Sequence, residues 1–548
     1  MQQDILALSH HNRLASARHN KLVGTRHNKR AEAQKTMATP NEKLAASLEV
    51  LRVLQENGQR VFPTSQIARI HRDRLVKHGF LQPVLKGWLM SSSPSAHPGD
   101  STAWFASFWE FCAAYCNQRF GVDWHLSPEQ SLLLHAENTV VPAQTTIYSS
   151  KGHNNSVTLP FHTALYDLKQ AQMPPQSQLI RRDALRLFAP EAALVRVPET
   201  FFRKYPLETQ VLLARMKDTS NLLRILLDGG HSAIAGRLAG ALRRAGRAEL
   251  ADEILSTMKR ADYDVRESDP YASGTVFALN HATEAPIVSR LQALWATTRE
   301  AVLEIFPAAP GLPAQAEGYL AHVDDIYKND AYHSLSIEGF RVSPELIERV
   351  ISGQWDPKHN EADRQNRDAL AARGYWQAFL QVKASIAKVL AGQSAGAVVR
   401  TDHREWHREL FEPCVVAGLI PASALAGYRN DAVYLRNSRY VPPRWEAVRE
   451  AMPGLLNLIE QESEPAVRAV LGHWLFGYIH PYPDGNGRMA RFLMNVLLAS
   501  GGYPWTVIRV DDRAEYLSAL DHASIESDVR PFANFIAGQV QWSLKKTP

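Results

Sequence analysis

The sequence predicts a multidomain, mainly α-helical protein in which a winged helix-turn-helix module and a mixed α/β region precede an all-helical core with a β-hairpin flap. The chain has 548 residues, which is more than one hydrophobic core usually organises. Apolar residues recur at helical spacing on both sides of residues 480–491, in the part of the chain from about 275 to 541, whereas TVVPAQTTIYSS and SVTLPFHTALY favour strands. These patterns divide the chain into an N-terminal module, a middle region and a C-terminal core.

The composition is that of a water-soluble globular protein, with 45% hydrophobic residues, 21% charged residues and a net charge of +5. No apolar run has the length of a membrane span, and the N-terminus lacks a signal-peptide core, so no membrane partner is expected. The cysteines Cys112, Cys116 and Cys414 lack metal-ligand spacing and are too few for a disulfide scaffold. We therefore expect a reducing, cytoplasmic location.

Residues 1–40 form a basic segment without a core pattern. The tetrapeptides HNRL, HNKL and HNKR begin at His11, His19 and His27, a period of eight that fits neither helix nor strand. We interpret the segment as a disordered arm. A nucleic-acid-binding arm and a translated leader before a natural start at Met37 are the alternatives.

Residues 41–92 have the pattern of a winged helix-turn-helix. NEKLAASLEVLRVLQENG predicts an amphipathic helix, PTSQIARI and RDRLVKHG predict two short helical pieces, and FLQPVLKGWLM predicts a strand pair. The second short helix would then present Arg72, Arg74 and Lys77 to a DNA groove or its phosphates. The stretch resembles the N-terminal domain of AbiEi-type antitoxin regulators, but winged helices also serve as protein-docking modules.

Residues 93–270 are predicted to mix strands with helices, and their sequence names no chemistry. The aromatic residues of STAWFASFWEFCAAYC recur at helical spacing, which is more typical of a core helix than of a cofactor site. HSAIAGRLAGALRRAGRAELADEILSTMKRA is helical and rich in Ala and Arg, which suits a lid or docking layer. The polar stretch DYDVRESDPYASG, residues 262–274, is the predicted boundary before the C-terminal core.

The string HPYPDGNGRMAR, residues 480–491, lies between two apolar helical patterns, so it predicts a tight loop that closes on a helix N-terminus. The free N–H groups of that terminus and the bend allowed by Gly-Asn-Gly at 485–487 would converge on an anion. Arg488 and Arg491 share one face of the first turn and can reach further phosphoryl oxygens. This arrangement predicts a site for more than one phosphate.

Two other side chains of the loop complete the chemistry of phosphate transfer. Asp484 precedes the glycine run, where a carboxylate can hold the Mg²⁺ that accompanies a polyphosphate. His480 is the one side chain of the loop that can take a proton near neutral pH. A Gly-Asn-Gly run alone is more often a simple turn, but the full string between two apolar helices has little structural purpose. A base, a metal ligand and a cationic clamp are what an in-line attack on phosphorus requires.

The same string resembles the signature of the Fic family, His-Pro-(aromatic)-x-(Asp or Glu)-Gly-Asn-Gly-Arg-x-x-Arg, at every specified position, with Tyr482 in the aromatic slot. Fic proteins are mostly helical transferases that move AMP from ATP to a hydroxyl of a target protein. The resemblance implies that His480 is the general base for a target Ser, Thr or Tyr and that Asp484 binds Mg²⁺. It assigns the α-phosphate of ATP to Asn486 and to the backbone from Gly485 to Gly487, and it assigns the distal phosphates to Arg488 and Arg491.

A second stretch, HSLSIEGF at residues 333–340, resembles the inhibitory motif of that family, (Ser or Thr)-x-x-x-Glu-(Gly or Asn). Ser334, Glu338 and Gly339 occupy its fixed positions, at the end of a helix predicted near residues 317–340. The resemblance implies that Glu338 pairs with Arg491, so that the γ-phosphate is displaced and ATP cannot bind productively. The alternative is an ordinary helix end, for which Gly339 is a common cap.

Before the loop, DAVYLRNSRYVPPRWEAV resembles the flap of the family. We call residues 434–440 the flap; its members are Tyr434, Leu435, Arg436, Asn437, Ser438, Arg439 and Tyr440. An exposed edge there could bind a target segment by adding a strand and present its hydroxyl to His480, and an ordinary surface hairpin is the alternative. After the loop, RAEYLSALDHASIESDVRPFANFIAG resembles the closing helices of the family, with Tyr516 expected at the adenine.

Two functions follow from these patterns. The first is an autoinhibited adenylyltransferase whose partners are ATP, a target protein with a Ser, Thr or Tyr hydroxyl, and optionally a second copy of the chain. The second is a regulator, similar to toxin-antitoxin proteins, that binds duplex DNA and whose Fic-like core is regulatory or removes AMP from modified targets. The intact His480 and Asp484 favour catalysis.

Overall fold

The computed structural model describes residues 39–56, 58–94, 99–271, 285–354 and 366–546. All but the last two residues of the predicted basic arm, 1–40, lie outside these ranges. The described residues are mainly helical, as the sequence predicts, and they include three small sheets. No helix among them is both long enough and apolar enough to cross a membrane.

The helices are numbered in chain order. They are α1 Pro40–Gln55, α2 Arg69–Lys77, α3 Thr102–Phe120, α4 Pro128–His135, α5 Pro190–Arg196, α6 Glu199–Lys204, α7 Pro206–Ala214, α8 Ser220–Asp228, α9 Ser232–Arg244, α10 Ala248–Arg260, α11 Pro286–Ile305, α12 Ala316–Ile337, α13 Pro344–Ile351, α14 Arg367–Leu390, α15 Ala395–Val416, α16 Trp445–Gln461, α17 Pro465–Ile479, α18 Asn486–Ala499, α19 Arg513–Glu526 and α20 Arg530–Lys546.

The strands of the described residues are short and lie between residues 61 and 188. They are β1 Val61–Pro63, β2 Leu81–Leu85, β3 Trp88–Ser91, β4 His125–Leu126, β5 Gln144–Ser149, β6 Asn155–Leu159, β7 Thr163–Lys169, β8 Leu179–Arg182 and β9 Leu185–Phe188.

The N-terminal module combines α1 and α2 with an antiparallel sheet of order β1-β3-β2. Helix α1 begins at a capping box, because Thr39 Oγ1 accepts from the Glu42 N–H while the Glu42 carboxylate accepts from the Thr39 N–H. The predicted strand pair is present as β2 and β3. The first of the two predicted helical pieces is reduced to a single 3-10 turn, Thr64–Gln66. Assignment of the module as a winged helix stays a prediction.

The middle region is built on α3 and a four-stranded sheet of order β4-β5-β7-β6, in which β5 and β7 are parallel. The aromatic residues of α3 form a core, as its spacing predicts, with Trp104, Phe108 and Phe111 fully buried. Cys112 and Cys116 are buried in the same helix as free thiols.

The predicted boundary at residues 262–274 is not a loose linker where the structure describes it. The Ser268 N–H donates to the Gly236 carbonyl of α9 at 3.2 Å, and Tyr271 is 4% exposed. A Cβ on Gly236 would lie 1.9 Å from the Arg266 carbonyl oxygen, so glycine permits this close contact. One hydrophobic core continues from Leu132 in the middle region to Val540 in the last helix.

The C-terminal helices hold the loop 480–485 between two buried helices. Nearly all residues of α17 and α18 are buried, which agrees with their almost continuous apolar sequence. Helix α15 packs against α18, and α12 ends beside the start of α18. The polar loop is therefore fixed at both ends by core packing.

Candidate active site

The loop is shaped by two residues with left-handed backbone. His480 ends α17 with φ 51° and ψ 61°, and Gly485 precedes α18 with φ 81°. A Cβ on Gly485 would lie 2.7 Å from the Phe411 ring, so both the backbone conformation and the space require glycine. Gly485, Asn486 and Gly487, at the start of α18, line a cleft, and this is where the sequence predicts an anion site.

Asn486 closes the loop on itself. Its side-chain oxygen accepts from the Tyr482 N–H at 2.9 Å, and its side-chain nitrogen donates to the Tyr482 carbonyl at 2.8 Å. The Tyr482 ring is buried and stacks on His407 with 3.8 Å between the ring centroids. The Asn486 amide thus shapes the loop, and its predicted contact with the α-phosphate stays a prediction.

The His480 ring is prepared to act as a base. Its Nδ1 lies 3.3 Å from the Gly477 carbonyl oxygen. Because a carbonyl only accepts, Nδ1 carries the proton and Nε2 keeps its lone pair. Burial lowers the pKa of His480 to about 4, so the ring is neutral at pH 7.

Arg491 is bound by the end of helix α12. Its Nε donates to Ser334 Oγ at 2.8 Å, and its Nη2 donates to the Ser334 carbonyl at 3.0 Å and to Glu338 Oε1 at 2.8 Å. The side chains of Arg491 and Glu338 are only 4% and 5% exposed. Although burial opposes ionisation of Glu338, the Arg491 cation brings its pKa below the usual value. Both members of this buried pair are therefore charged.

The Glu338 carboxylate also lies against the predicted phosphate cradle. A Cβ on Gly487 would be 2.1 Å from Glu338 Oε1, so only the bare glycine backbone leaves room for this oxygen. Gly339, with φ 87°, turns the chain after Glu338. The structure thus places an anion of its own at the N-terminus of α18.

Arg488 is a buried cation with donors to spare. Its guanidinium lies between the rings of Phe340 and Phe411, 5.3 and 5.2 Å from their centroids. The residue is 1% exposed, and its Nε and Nη2 have no hydrogen-bond partner among the described residues. Such orphaned donors fit an additional anionic ligand at this position.

Asp484 is the carboxylate that could contact a metal ion. Its side chain is 32% exposed, and its Oδ1 accepts from the Gly485 N–H at 2.6 Å. Over the described ranges no group of three His, Cys, Asp or Glu residues could hold a metal. One carboxylate fits Mg²⁺ that takes its other ligands from phosphates and water.

These groups line one cleft. Its walls are formed by Glu338, Tyr434, His480, Pro483, Asp484, Gly485, Asn486 and Gly487. Most of the predicted site therefore comes together, with the end of α12 on one side and the flap on another.

Comparison with known proteins bears on this site directly, since residues 399–498 match the sequence model of the Fic/DOC family. Over these residues the chain is similar to the Fic/DOC family. It is 29% identical over 236 residues to protein adenylyltransferase Fic of Nematostella vectensis. This alignment covers 41% of this chain and 50% of the relative. The chain is 33% identical over 225 residues to protein adenylyltransferase fic-1 of Caenorhabditis elegans, which covers 39% and 40% respectively. The chain thus spans half or less of these relatives.

A solved structure of C. elegans Fic-1, residues 134–508 of that protein, also aligns with the chain. The alignment has 18% identity and a TM-score of 0.35, and it covers 65% of this chain and 90% of the solved one.

The flap is not the hairpin that the sequence predicts. It contains no strand, and it turns at Asn437, whose φ is 56°. The carbonyl oxygens of Arg439 and Val441 accept from the Val141 N–H and from Thr139 Oγ1, respectively. The middle region therefore already binds two carbonyls of this extended segment.

The flap is also bound by the N-terminal part of the chain. The Arg60 guanidinium lies 4.6 Å from the ring centroid of Tyr434, the one flap residue that lines the cleft. Arg436 lies 3.5 Å from Asp100, and the Ser101 N–H donates to Asn437 at 3.2 Å. These contacts keep the flap against the cleft.

The remaining flap residues serve packing rather than the cleft. Tyr440 is buried, stacks on Tyr478 at 4.3 Å and donates to the Tyr478 carbonyl at 2.8 Å. Ser438 donates to Asp521, and Leu435 packs on the core.

Tyr516 does not line the cleft with the other predicted residues. It is 2% exposed, and its hydroxyl is 2.8 Å from His473 Nε2. It borders Arg491, whose positive charge opposes the rise that burial causes in the Tyr516 pKa. The structure therefore favours a role for Tyr516 in supporting Arg491 over a contact with the adenine of ATP.

The three predicted DNA contacts are not equivalent. Arg74 donates to the Lys43 carbonyl at 2.6 Å and to Ser47 Oγ at 2.7 Å, so it joins α2 to α1. Arg72 lies 3.6 Å from the Asp73 carboxylate and is partly buried. Lys77 is exposed, as is Arg69 on the same helix.

Sequence reasoning missed two sets of residues around the loop. Phe340 and Phe411 enclose Arg488, but an isolated aromatic residue gives no signal of that role. Arg429 donates to the His480 carbonyl at 2.8 Å from 51 positions earlier in the chain, a distance at which sequence gives no hint of contact.

Proposed function

We propose that the chain is a protein adenylyltransferase that its own helix α12 keeps inactive. The observation that carries this proposal is the position of the Glu338 carboxylate, which pairs with Arg491 and lies on the backbone of Gly487. An anion bound by a cationic side chain and a helix N-terminus occupies a place suited to a phosphate. The names of the relatives supply the reaction class.

In the proposed reaction, His480 Nε2 takes the proton of a target hydroxyl, and the hydroxyl oxygen attacks the α-phosphorus of ATP. A bond forms between this oxygen and the α-phosphorus, and the bond to the bridging oxygen breaks, so that pyrophosphate leaves. The N–H groups at the start of α18 bind the negative charge that grows on the phosphoryl oxygens. Arg488, with its orphaned donors, is positioned to bind a phosphate as well.

Mg²⁺, when bound with ATP at Asp484, would neutralise phosphate charge. The residues of the chain perform the remaining tasks. The buried ring of His480 is neutral and accepts the proton, and Tyr434 of the flap lines the same cleft.

Inhibition follows from competition between two anions. A nucleotide phosphate can reach Arg491 and the N–H groups near Gly487 only if the Glu338 carboxylate leaves, because two negative groups cannot share that space. Departure of Glu338 also frees the Arg491 Nη2 donor from which its carboxylate now accepts.

The test uses ATP labelled either at the α- or at the γ-phosphate, with Mg²⁺ and a cell lysate. Glu338→Gly should transfer the α-label to protein. His480→Ala should transfer no α-label, and no variant should transfer γ-label to protein. Transfer of γ-label would indicate phosphorylation instead. Absence of both labels in Glu338→Gly would refute the proposal.

The same assay addresses removal of AMP. Protein labelled by Glu338→Gly is separated and then incubated with the wild-type chain. Loss of label in that step, but not with His480→Ala, would show that the wild-type chain removes AMP from modified targets.

Exposed basic residues on α2 favour duplex DNA as a ligand of the N-terminal module. Lys77 and Arg69 extend from this helix next to the β2-β3 hairpin. Since phosphate contacts release counterions, binding of the full chain to a mixed-sequence duplex should weaken steeply with salt, and Arg72→Ala with Lys77→Ala should flatten the slope by about one unit per contact. Arg52→Ala, an exposed variant on α1, is the control. No binding at low salt would favour a protein-docking role.

A further inference from the structure

Arg429 is a buried arginine that precedes the flap and that the proposed reaction has not used. It is 2% exposed, and no carboxylate lies within ion-pair distance of it among the described residues. Burial without an acidic partner is costly for a cation, so its contacts should serve a specific purpose.

The Arg429 guanidinium binds backbone carbonyls instead of acids. Nε donates to the His480 carbonyl at 2.8 Å, and Nη2 donates to Ile479 at 3.4 Å and to Pro443. Nη1 donates to the carbonyl of Asp431 at 2.9 Å. Four carbonyls thus share the five N–H donors of one rigid, planar group.

The acceptors belong to two segments that must act together in the proposed reaction. Ile479 and His480 end helix α17, and Asp431 and Pro443 flank the flap on its two sides. The main-chain N–H of Arg429 adds a bond to the Pro481 carbonyl at 2.9 Å. One residue therefore joins the base of the flap to the backbone of the catalytic histidine.

The backbone of His480 needs such support. Its φ of 51° lies in the left-handed region, which is unfavourable for residues with a side chain and persists only where the surroundings fix it. Arg429 binds the carbonyl oxygen of this strained residue itself. It also lowers the pKa of His480 through its positive charge, after the larger effect of burial.

We propose that Arg429 is a positioning residue that fixes the His480 base and the flap in one geometry, so that a hydroxyl presented at the flap meets Nε2. The inference rests on the proposed function. It predicts a loss in the transfer step rather than in ATP binding, because Arg429 contacts no residue that would bind the phosphates. A misplacement of about 1 Å in such a site costs about 10²-fold in rate.

The experiment measures auto-modification with α-labelled ATP in the Glu338→Gly background, so that the starting protein is active. Arg429→Ala should lower the maximal rate about 10²-fold. The apparent KM for ATP should change less than about twofold, since ATP is bound by other groups. Guanidinium chloride at a non-denaturing concentration should restore part of the rate, whereas sodium chloride at the same concentration should not.

Two variants separate positioning from general stability. Arg429→Lys keeps the charge but has fewer donors in a different geometry. Its transfer rate should therefore lie between that of the Glu338→Gly parent and that of Arg429→Ala. Leu242→Ala, which creates a cavity in helix α9 of the middle region, should lower the melting temperature and keep the transfer rate. If Arg429→Ala does not fold, Arg429→Lys provides the test. A lower maximal rate with an unchanged KM for ATP in this variant would support the positioning role.

The outcomes are distinct from failure of the proposed function. If Glu338→Gly alone transfers no label, the reaction assignment is wrong and Arg429 is not at issue. If it does transfer label, then an unchanged rate in the Arg429 variants, an equal loss in Leu242→Ala, or no rescue by guanidinium in a folded Arg429→Ala would overturn the positioning role.

Discussion

Glu338 Oε1 lies so close to the backbone of Gly487 that a Cβ on this glycine would be 2.1 Å from it. The same oxygen accepts from Arg491 Nη2 at 2.8 Å. The carboxylate thus has the two kinds of partner, a guanidinium and the first turn of a helix, that a phosphate would seek. In the proposed function, this carboxylate must leave before a nucleotide phosphate can bind there.

Removal of this carboxylate should increase activity. Glu338→Gly frees Arg491 and the first turn of α18, and we expect transfer of the α-label to rise at least tenfold, which corresponds to about 1.4 kcal/mol. Glycine is acceptable at this position because Glu338 is the C-terminal cap of α12 rather than an interior residue. The measurement is the initial rate of auto-modification at saturating ATP.

Two further variants control this experiment. Glu338→Gln keeps the shape but removes the charge, so it should be activated as well, although less than the glycine variant. Adding Arg491→Ala to Glu338→Gly should abolish the gain, because the freed arginine is what binds the nucleotide. Equal or lower activity in Glu338→Gly, with an unchanged melting temperature, would sink the autoinhibition hypothesis.

Gly487→Ala separates displacement of the Glu338 carboxylate from access of a phosphate to the backbone of residue 487. The added methyl group would displace the Glu338 carboxylate, as Glu338→Gly does, but it would also occupy the place of the phosphate. We therefore expect no activation and a weaker affinity for ATP, measured by calorimetry in the Glu338→Gly background. Activation by Gly487→Ala would show that no phosphate approaches this glycine.

The pH dependence should reflect a neutral His480. Burial lowers its pKa to about 4, so protonation removes the base only as the pH falls towards that value. Glu338 raises the pKa of His480, so its absence in Glu338→Gly shifts the acid limb further down. We expect kcat/KM for this variant to stay level from pH 8 to about pH 6. An acid limb centred at about 6.5, the ordinary value for histidine, would contradict the assignment.

Asp484→Asn tests the metal ligand at nearly constant volume. If the carboxylate contacts Mg²⁺, its loss should raise the Mg²⁺ concentration needed for half-maximal transfer about tenfold, while excess EDTA should stop the wild-type and Glu338→Gly reactions. Asp325→Asn, an exposed change on α12, is the matched control. The same Mg²⁺ dependence in both variants would exclude Asp484 as a ligand.

The sequence predicted the site best where the chemistry is local. The string from His480 to Arg491 folds as the predicted loop and helix N-terminus, because glycine, asparagine and the adjacent apolar helices determine the local geometry. The pair of Glu338 with Arg491, which only the family resemblance indicated, is present in the structure.

The sequence predicted poorly what depends on distant segments. Extended residues suggested a hairpin in the flap, but carbonyls such as that of Arg439 are bound by the middle region, and no strand forms. Tyr516 has the right position in the chain for a ligand contact, yet packing buries it beside His473. Arg429 could not be found at all, since its partners are backbone carbonyls that any sequence possesses.

Contact between the N-terminal module and the flap provides a last prediction. The Arg60 guanidinium lies over the Tyr434 ring at 4.6 Å, and loss of a cation–π contact of roughly 0.5–1 kcal/mol should make opening of the flap about two- to fivefold more frequent. Arg436 and Arg439 are partly buried in the flap, so tryptic cleavage after them should follow flap opening and accelerate by the same factor in Arg60→Ala. Arg52→Ala removes an exposed arginine of the same module that pairs with Glu49, and it should cleave like the wild type. Equal cleavage in the two variants, at equal melting temperature, would show that Arg60 does not hold the flap.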